Sequence, residues 1–195
     1  MLSVEGLSKK YGSNEIITNV NLNFENGKLY VFTGINGSGK TTITKILAGL
    51  IYKTSGSLKI YETISYLPDK YIMPKLLKVR SYCKILSIPI ELMKKYQIPN
   101  KRIGELSKGN LQKLGIIQIL SRDSGCYILD EPIDGLDDST KRIFKQDIIN
   151  KLSENKIVIM CLHTKTLFNE LHPVIYEVKE GCINEKKRKT AIAAD

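Results

Sequence analysis

The feature that most constrains this 195-residue chain is the run Gly34-Ile35-Asn36-Gly37-Ser38-Gly39-Lys40-Thr41-Thr42, which fits G-x-x-x-x-G-K-[ST] in full. Its flanks matter as much as its letters. Leu29-Tyr30-Val31-Phe32-Thr33 is a short apolar, β-rich run, the pattern of a buried strand. After the run, Ile43, Ile46, Leu47 and Leu50 fall on one face of a predicted helix. Three glycines between strand and helix let the backbone turn tightly and aim its N–H groups at an anion. The helix start adds the positive end of its dipole. Lys40 is then placed to reach the β- and γ-phosphates of a nucleotide, and the Thr41 hydroxyl to ligate Mg²⁺. A glycine-rich turn that merely precedes a helix needs neither the Lys-Thr pair nor the strand.

About 90 residues on, the apolar run Cys126-Tyr127-Ile128-Leu129 ends in Asp130-Glu131. A carboxylate at the C-terminal tip of a parallel strand lies at the ligand crevice of the sheet. Asp130 is suited to the Mg²⁺ shell, and Glu131 to polarising a water for attack on the γ-phosphate. An acidic pair alone is a weak signal, since such pairs also cap loops. Its weight comes from the phosphate loop upstream.

The remaining patterning fits an α/β fold. Residues 2–6 and 16–25 alternate loosely, as strands with one exposed face do, and Asn26-Gly27 marks a turn. Ile157-Val158-Ile159-Met160 is another buried strand, with helical stretches at about 139–153 and 165–171. Residues 70–105 are Lys-rich, contain Pro74, Pro89 and Pro99, and carry helical spacing at Leu76-Leu77, Tyr82 and Ile85-Leu86. They read as a small helical lobe, followed by a helix from about Lys108 to Leu120. Strands alternating with helices indicate a mainly parallel sheet. The expected organisation is one domain over 1–195. Residues 1–69 and 121–195 form its nucleotide-binding core, with an N-terminal antiparallel β subdomain, and about 70–120 form the inserted helical lobe.

Composition narrows the class. No apolar run approaches the ~18–20 residues of a membrane span, and the N-terminus lacks the basic-then-apolar pattern of a signal peptide. Cys83, Cys126, Cys161 and Cys182 are scattered without a Cys-x-x-Cys pair, which argues against zinc and against a disulfide framework. They read as reduced, mostly buried small hydrophobes. The net charge is +10, densest at Lys186-Lys187-Arg188-Lys189. That block reads as a solvated tail, a lipid-headgroup contact or a nucleic-acid contact.

The two nucleotide motifs would fit many P-loop NTPases. The segment Leu106-Ser107-Lys108-Gly109-Asn110-Leu111-Gln112-Lys113 narrows the choice, because it resembles the L-S-G-G-Q signature of ATP-binding cassette (ABC) ATPases. The resemblance runs over essentially the whole chain in the family's order. Tyr11 resembles the aromatic that stacks on adenine, Gly34 to Thr42 the Walker A loop, and Tyr66-Leu67-Pro68-Asp69 the Q-loop. Tyr127 to Glu131 resembles Walker B, Gly135-Leu136-Asp137 the D-loop, and His163 the switch histidine. What the resemblance implies is an ATPase using ATP and Mg²⁺, with Asp69, Thr41 and Asp130 toward the metal and Glu131, His163 and Lys40 in catalysis. Ser107 and Gly109 would face the γ-phosphate held by a second copy or a related subunit, in a head-to-tail dimer.

Departures from the family pattern have consequences. Asp69 stands where the family has Gln; a carboxylate can ligate Mg²⁺ but donates no hydrogen bond at neutral pH. Lys108 replaces a Gly and Asn110 a Gln. The stretch between Ser55-Gly56 and Tyr66 is shorter than usual, and no C-terminal length is left for a regulatory domain. The resemblance therefore implies a trimmed nucleotide-binding subunit of a membrane transporter, of export type. It would be held on the cytoplasmic face of the membrane through a separate transmembrane permease docked between the lobe and the Q-loop. The alternative is a soluble cassette ATPase linked to nucleic acid or translation. The charge favours it, and the lack of coiled coils and of a second cassette opposes it. A cassette that binds without hydrolysing is opposed by intact Lys40, Asp130, Glu131 and His163.

Overall fold

The computed structural model describes residues 2–70, 72–163 and 166–186. Two sheets carry the fold. Strands β1 (Leu2–Tyr11), β2 (Asn14–Phe24) and β4 (Ser55–Ile60) form an antiparallel sheet in the order β2-β1-β4. The second sheet has the order β5-β6-β7-β3-β8-β9. It comprises β5 (Ile64–Leu67), β6 (Cys126–Asp130), β7 (Ile157–Cys161), β3 (Leu29–Thr33), β8 (Val174–Lys179) and β9 (Cys182–Glu185). All neighbours in it pair parallel except β8 and β9.

The sequence dictates this layering. Strands β6 and β7 are buried at every residue, so both faces of the sheet must be covered. Tyr30, Phe32, Ile128 and Ile159 pack on one face with α1 (Lys40–Leu47) and the antiparallel sheet. Val31, Leu129, Val158 and Met160 pack on the other with α4 (Lys108–Leu120) and α5 (Asp138–Ser153). Phe24, at the end of β2, sits edge-on to Tyr30 with ring centroids 4.9 Å apart, and so joins the two sheets.

Because β5, β6, β7 and β3 run parallel, their C-terminal ends lie along one edge. The phosphate loop follows β3, Asp69 follows β5, Glu131 follows β6 and His163 follows β7. One edge of one sheet thus gathers residues spread over more than half the chain.

The lobe contains α2 (Val79–Ile85), α3 (Ile90–Lys95) and a 3₁₀ turn at Ile103–Glu105. Val79, Tyr82, Cys83, Met93 and Tyr96 bury themselves against the α4 side of the core. The Tyr96 hydroxyl donates to Asp147 on α5 at 2.7 Å, which ties the lobe to the core.

Several expectations need correction. The helix after the phosphate loop ends before Leu50, which is exposed, because Gly49 turns the chain with φ 71°. Leu76 and Ile85 are exposed; helix α2 starts only at Val79 and buries Tyr82 and Cys83 instead. The stretch near 165–171 is 3₁₀ over Thr166–Leu171. The first two strands extend past 2–6 and start before 16–25, into a hairpin. All four cysteines are free, and only Cys182 is exposed. Lys187, Arg188 and Lys189 of the basic block lie outside the described residues.

Candidate functional site

The phosphate loop is shaped by backbone that only glycine supplies cheaply. Gly34, Gly37 and Gly39 have φ of 152°, 80° and 108°. A Cβ on Gly34 would also lie 2.4 Å from the Val178 carbonyl oxygen of β8, so no other residue fits there. Lys40 is almost fully buried, and its Nζ donates to the carbonyls of Gly34 at 2.8 Å and Ile35 at 3.0 Å. The ammonium is therefore curled over the loop that follows β3. Ile35, Asn36 and Gly37 are exposed, and Ser38 Oγ is sealed without a hydrogen-bond partner among the described residues.

An open cleft of about 380 Å³ lies over this loop, lined by Tyr11, Asn36, Gly37, Gly39, Lys40, Thr41, Thr42, Asp69 and Glu131. Tyr11 is at the end of β1, half exposed, with Lys9 Nζ 4.6 Å from its ring centroid. A larger hollow of about 500 Å³ on the antiparallel sheet, edged by Ser3, Asn21 and Tyr61, gathers none of these groups.

Asp130 is 1% exposed, and neither carboxylate oxygen has a hydrogen-bond partner among the described residues. Leaving a buried acid so bare is costly. Burial, and then the Asp130 charge, push the neighbouring Cys161 thiol well above its ordinary value. A sealed, unsatisfied carboxylate at the end of β6, two strands from the phosphate-loop strand β3, fits a divalent cation, with Thr41 and Asp69 lining the open cleft.

Glu131 has φ 51°, a strained conformation for a non-glycine residue. Its N–H donates to Cys161 at 3.1 Å. Its side chain meets His163, with Oε1 and Nε2 2.9 Å apart. Burial raises the Glu131 pKa above the ordinary carboxylate value, while His163 pulls it back. Asp134 joins this pair within a 4.8 Å cluster.

The signature residues lie elsewhere. Ser107 caps α4, its hydroxyl accepting from the Asn110 N–H at 3.3 Å, and it is exposed. Neither Ser107 nor Gly109 lines the cleft. Gly109 has ordinary dihedrals; it must be glycine because a Cβ would lie 2.9 Å from the Gly135 carbonyl oxygen. Four further contacts were not foreseen from the sequence. Gln112, buried in α4, donates to the carbonyls of Pro132 at 3.0 Å and Glu131 at 3.4 Å. Lys113 pairs with Asp137 at 3.2 Å, and Asp137 accepts from the Thr140 N–H at 2.7 Å to cap α5. Hydrogen bonds, led by those from Ser139 and Thr140, hold Asp137 well below the usual carboxylate range. No signal in the sequence separates Gln112 from Lys113 and Gln118, the other polar residues between Leu111 and Leu120.

With this geometry in view, the relatives become interpretable. The family model described as ABC transporter matches residues 17–134. The lantibiotic transport ATP-binding protein SrtF of Streptococcus pyogenes is 30% identical over 94% of this chain and 89% of its own length. The zinc import ATP-binding protein ZnuC of Wolbachia pipientis wMel is 28% identical over 94% of this chain and 80% of its own. The dimeric post-hydrolysis structure of the ATP-binding cassette MJ0796, bound to ADP and Pi, superposes with a TM-score of 0.85 at 21% identity, covering 96% of this chain and 98% of that one. At that identity the likeness speaks for the fold. No helix among the described residues is long and apolar enough to cross a membrane. This chain belongs to the ABC transporter family and is one of its ATPases.

Proposed function

We propose that the chain is the nucleotide-binding subunit of an exporter, in which two cassettes close on ATP and drive a separate transmembrane permease from the cytoplasmic face. The observation that carries this reading is the division of the anion-binding groups. Lys40, Asp130 and Glu131 converge at one sheet edge, while Ser107 and Gly109 lie at a different helix start outside that cleft. Such a half-site is completed by a second copy or a related subunit. The export direction is supported by the Leu106-Ser107-Lys108-Gly109 form; SrtF is named for transport, and ZnuC, similar over as much of the chain, for import.

In this reading Tyr11 offers the ring face not covered by Lys9 to the adenine. The loop N–H groups from Gly34 to Thr42 and the Lys40 ammonium hold the β- and γ-phosphates, trading the Gly34 and Ile35 carbonyls for phosphate oxygens. Thr41, Asp69 and Asp130 would hold Mg²⁺, which when bound offsets the phosphate charge. Glu131 takes the proton of a water whose oxygen attacks the γ-phosphorus, and the bond from that phosphorus to the β–γ bridging oxygen breaks to leave ADP. His163, 2.9 Å from Glu131, orients that carboxylate and the γ-phosphate. Ser107 and the Gly109 N–H supply donors to the γ-phosphate held by the opposite copy.

The test is affinity purification of tagged protein from detergent-solubilised native cells. Recovery of a multi-span membrane protein near one-to-one is the expected result. Recovery of ribosomes or nucleic acid without a membrane protein would overturn the transporter reading.

A further inference from the structure

The phosphate cleft does not account for the chain's charge. Residues 70–105 hold nine Lys and Arg against two Glu, so seven of the ten net positive charges fall in the lobe. The fold concentrates them further. The segment before α2 and the segment before the 3₁₀ turn pair as a short ribbon. Val79 N–H donates to Lys101 at 3.0 Å, Ile103 N–H to Leu77 at 2.9 Å and Gly104 N–H to Lys75 at 2.9 Å, with Lys78 directly opposite Arg102. Gly104 permits the approach, since a Cβ there would lie 3.1 Å from the Lys75 Cβ.

Lys75, Lys78, Lys101 and Arg102 are all exposed, and none forms an ion pair among the described residues. Like charges placed opposite each other across an antiparallel pair are destabilising. The fold bears that cost with no acid set between them, which marks a surface made for a polyanion. Two details choose among polyanions. Ile72 is fully exposed and Leu76 is 84% exposed, so apolar side chains stand among the cations as they do in surfaces that lie on a bilayer. Among the described residues, the two segments of the ribbon, 75–79 and 101–104, hold no aromatic ring on which a nucleobase could stack.

We propose that this ribbon docks on anionic lipid headgroups, so that the subunit touches the membrane directly as well as through a permease. The proposal rests on the transporter reading only for the place where this surface meets a bilayer; its test needs no permease.

The full chain is sedimented with phosphatidylcholine vesicles with and without phosphatidylglycerol, at low and physiological salt. Binding is expected only with phosphatidylglycerol and weaker at higher salt. A cation near an anionic bilayer contributes about five-fold in binding, so Lys78→Glu/Arg102→Glu should weaken it by at least ~25-fold. Lys187→Glu/Arg188→Glu changes net charge equally and should keep binding within a few-fold. Unchanged ATP affinity in both variants certifies that they fold. Equal losses in the two variants, an unaffected ribbon variant or indifference to phosphatidylglycerol would each overturn the proposal. So would ribbon-dependent binding of a single-stranded oligonucleotide tighter than binding to vesicles at the same salt. A negative result here leaves co-purification of a permease untouched, so the two readings fail separately.

Discussion

Two helix starts in this chain are proposed to meet an anion, and they are built differently. At the start of α1, Lys40 is buried, Glu131 and Asp69 arrive from neighbouring strand ends to line one cleft, and Asp130 is sealed at the end of β6. At the start of α4, Ser107 is exposed and the groups nearby face back into their own chain: Gly109 against Gly135, Gln112 against Glu131 and Pro132, Lys113 against Asp137. The first arrangement is a grip. The second is a platform, hydrogen-bonded through Gln112 to the loop that carries Glu131 of the same chain. A platform braced in this way can transmit what happens at one nucleotide to the other, which a freely hinged turn could not.

Damage to the grip should have the largest effect. Lys40→Ala leaves buried phosphate charge uncompensated and should weaken ATP binding by on the order of 10²–10³-fold in a calorimetric titration; unchanged affinity would remove Lys40 from the site. Damage to the platform should spare binding and strike turnover. Ser107→Phe should bind ATP as the parent does, yet hydrolyse it on the order of 10²-fold more slowly in a phosphate-release assay, the loss expected when one preorganised donor is removed. If instead binding fell and turnover per bound ATP did not, the two regions would not divide the work as described.

The brace between them is the next target. Gln112→Leu strips the hydrogen bond from the Pro132 carbonyl and the longer one from Glu131, an unsatisfied-group cost of about 1–3 kcal/mol. Thermal melting should drop by several degrees, and kcat should fall more than ATP affinity, because Glu131 depends on that backbone. A variant with lowered melting but unchanged kcat would make Gln112 merely structural.

The smallest effect is one of pH. Burial raises the Glu131 pKa in the folded chain. A raised folded pKa means that the stabilising contribution is present below the ordinary carboxylate range and lost as pH rises through the folded value. Glu131→Gln removes the penalty of ionising the partly buried acid, so it should melt above the parent at neutral pH. The gap should close on acidification from roughly pH 7 to pH 4. The hydrolysis rate of the parent should fall, on lowering pH, at a higher pH than an ordinary glutamate would give.

The grip was legible in the sequence because its chemistry needs contiguous residues between a strand and a helix. The acidic strand tip was legible because a buried run announces itself. The platform's location at a helix start was legible too, and α4 spans the expected Lys108–Leu120. Its bracing was not, since Gly109 and Gln112 are explained only by contacts with residues more than 18 positions away. Strand β5 escaped notice because its Ser65 looks like a loop residue. That hydroxyl is buried only through a 2.7 Å hydrogen bond to Ser124, a partner 59 residues on. Strand β8 escaped because Tyr176-Glu177-Val178-Lys179 mixes charge into a short run. In the lobe, the exposed Leu76 and Ile85 counted toward a helical period although they face outward. Periodicity records spacing and not which side is covered.

The claim that the grip of one copy and the platform of another form a single ATP site is tested most directly by light scattering of Glu131→Gln at saturating Mg-ATP. That variant should hold ATP, hydrolyse it far more slowly and run at twice the mass of the chain, returning to monomer in ADP or when Ser107→Phe is added. A monomer that is demonstrably loaded with ATP under those conditions would contradict the account.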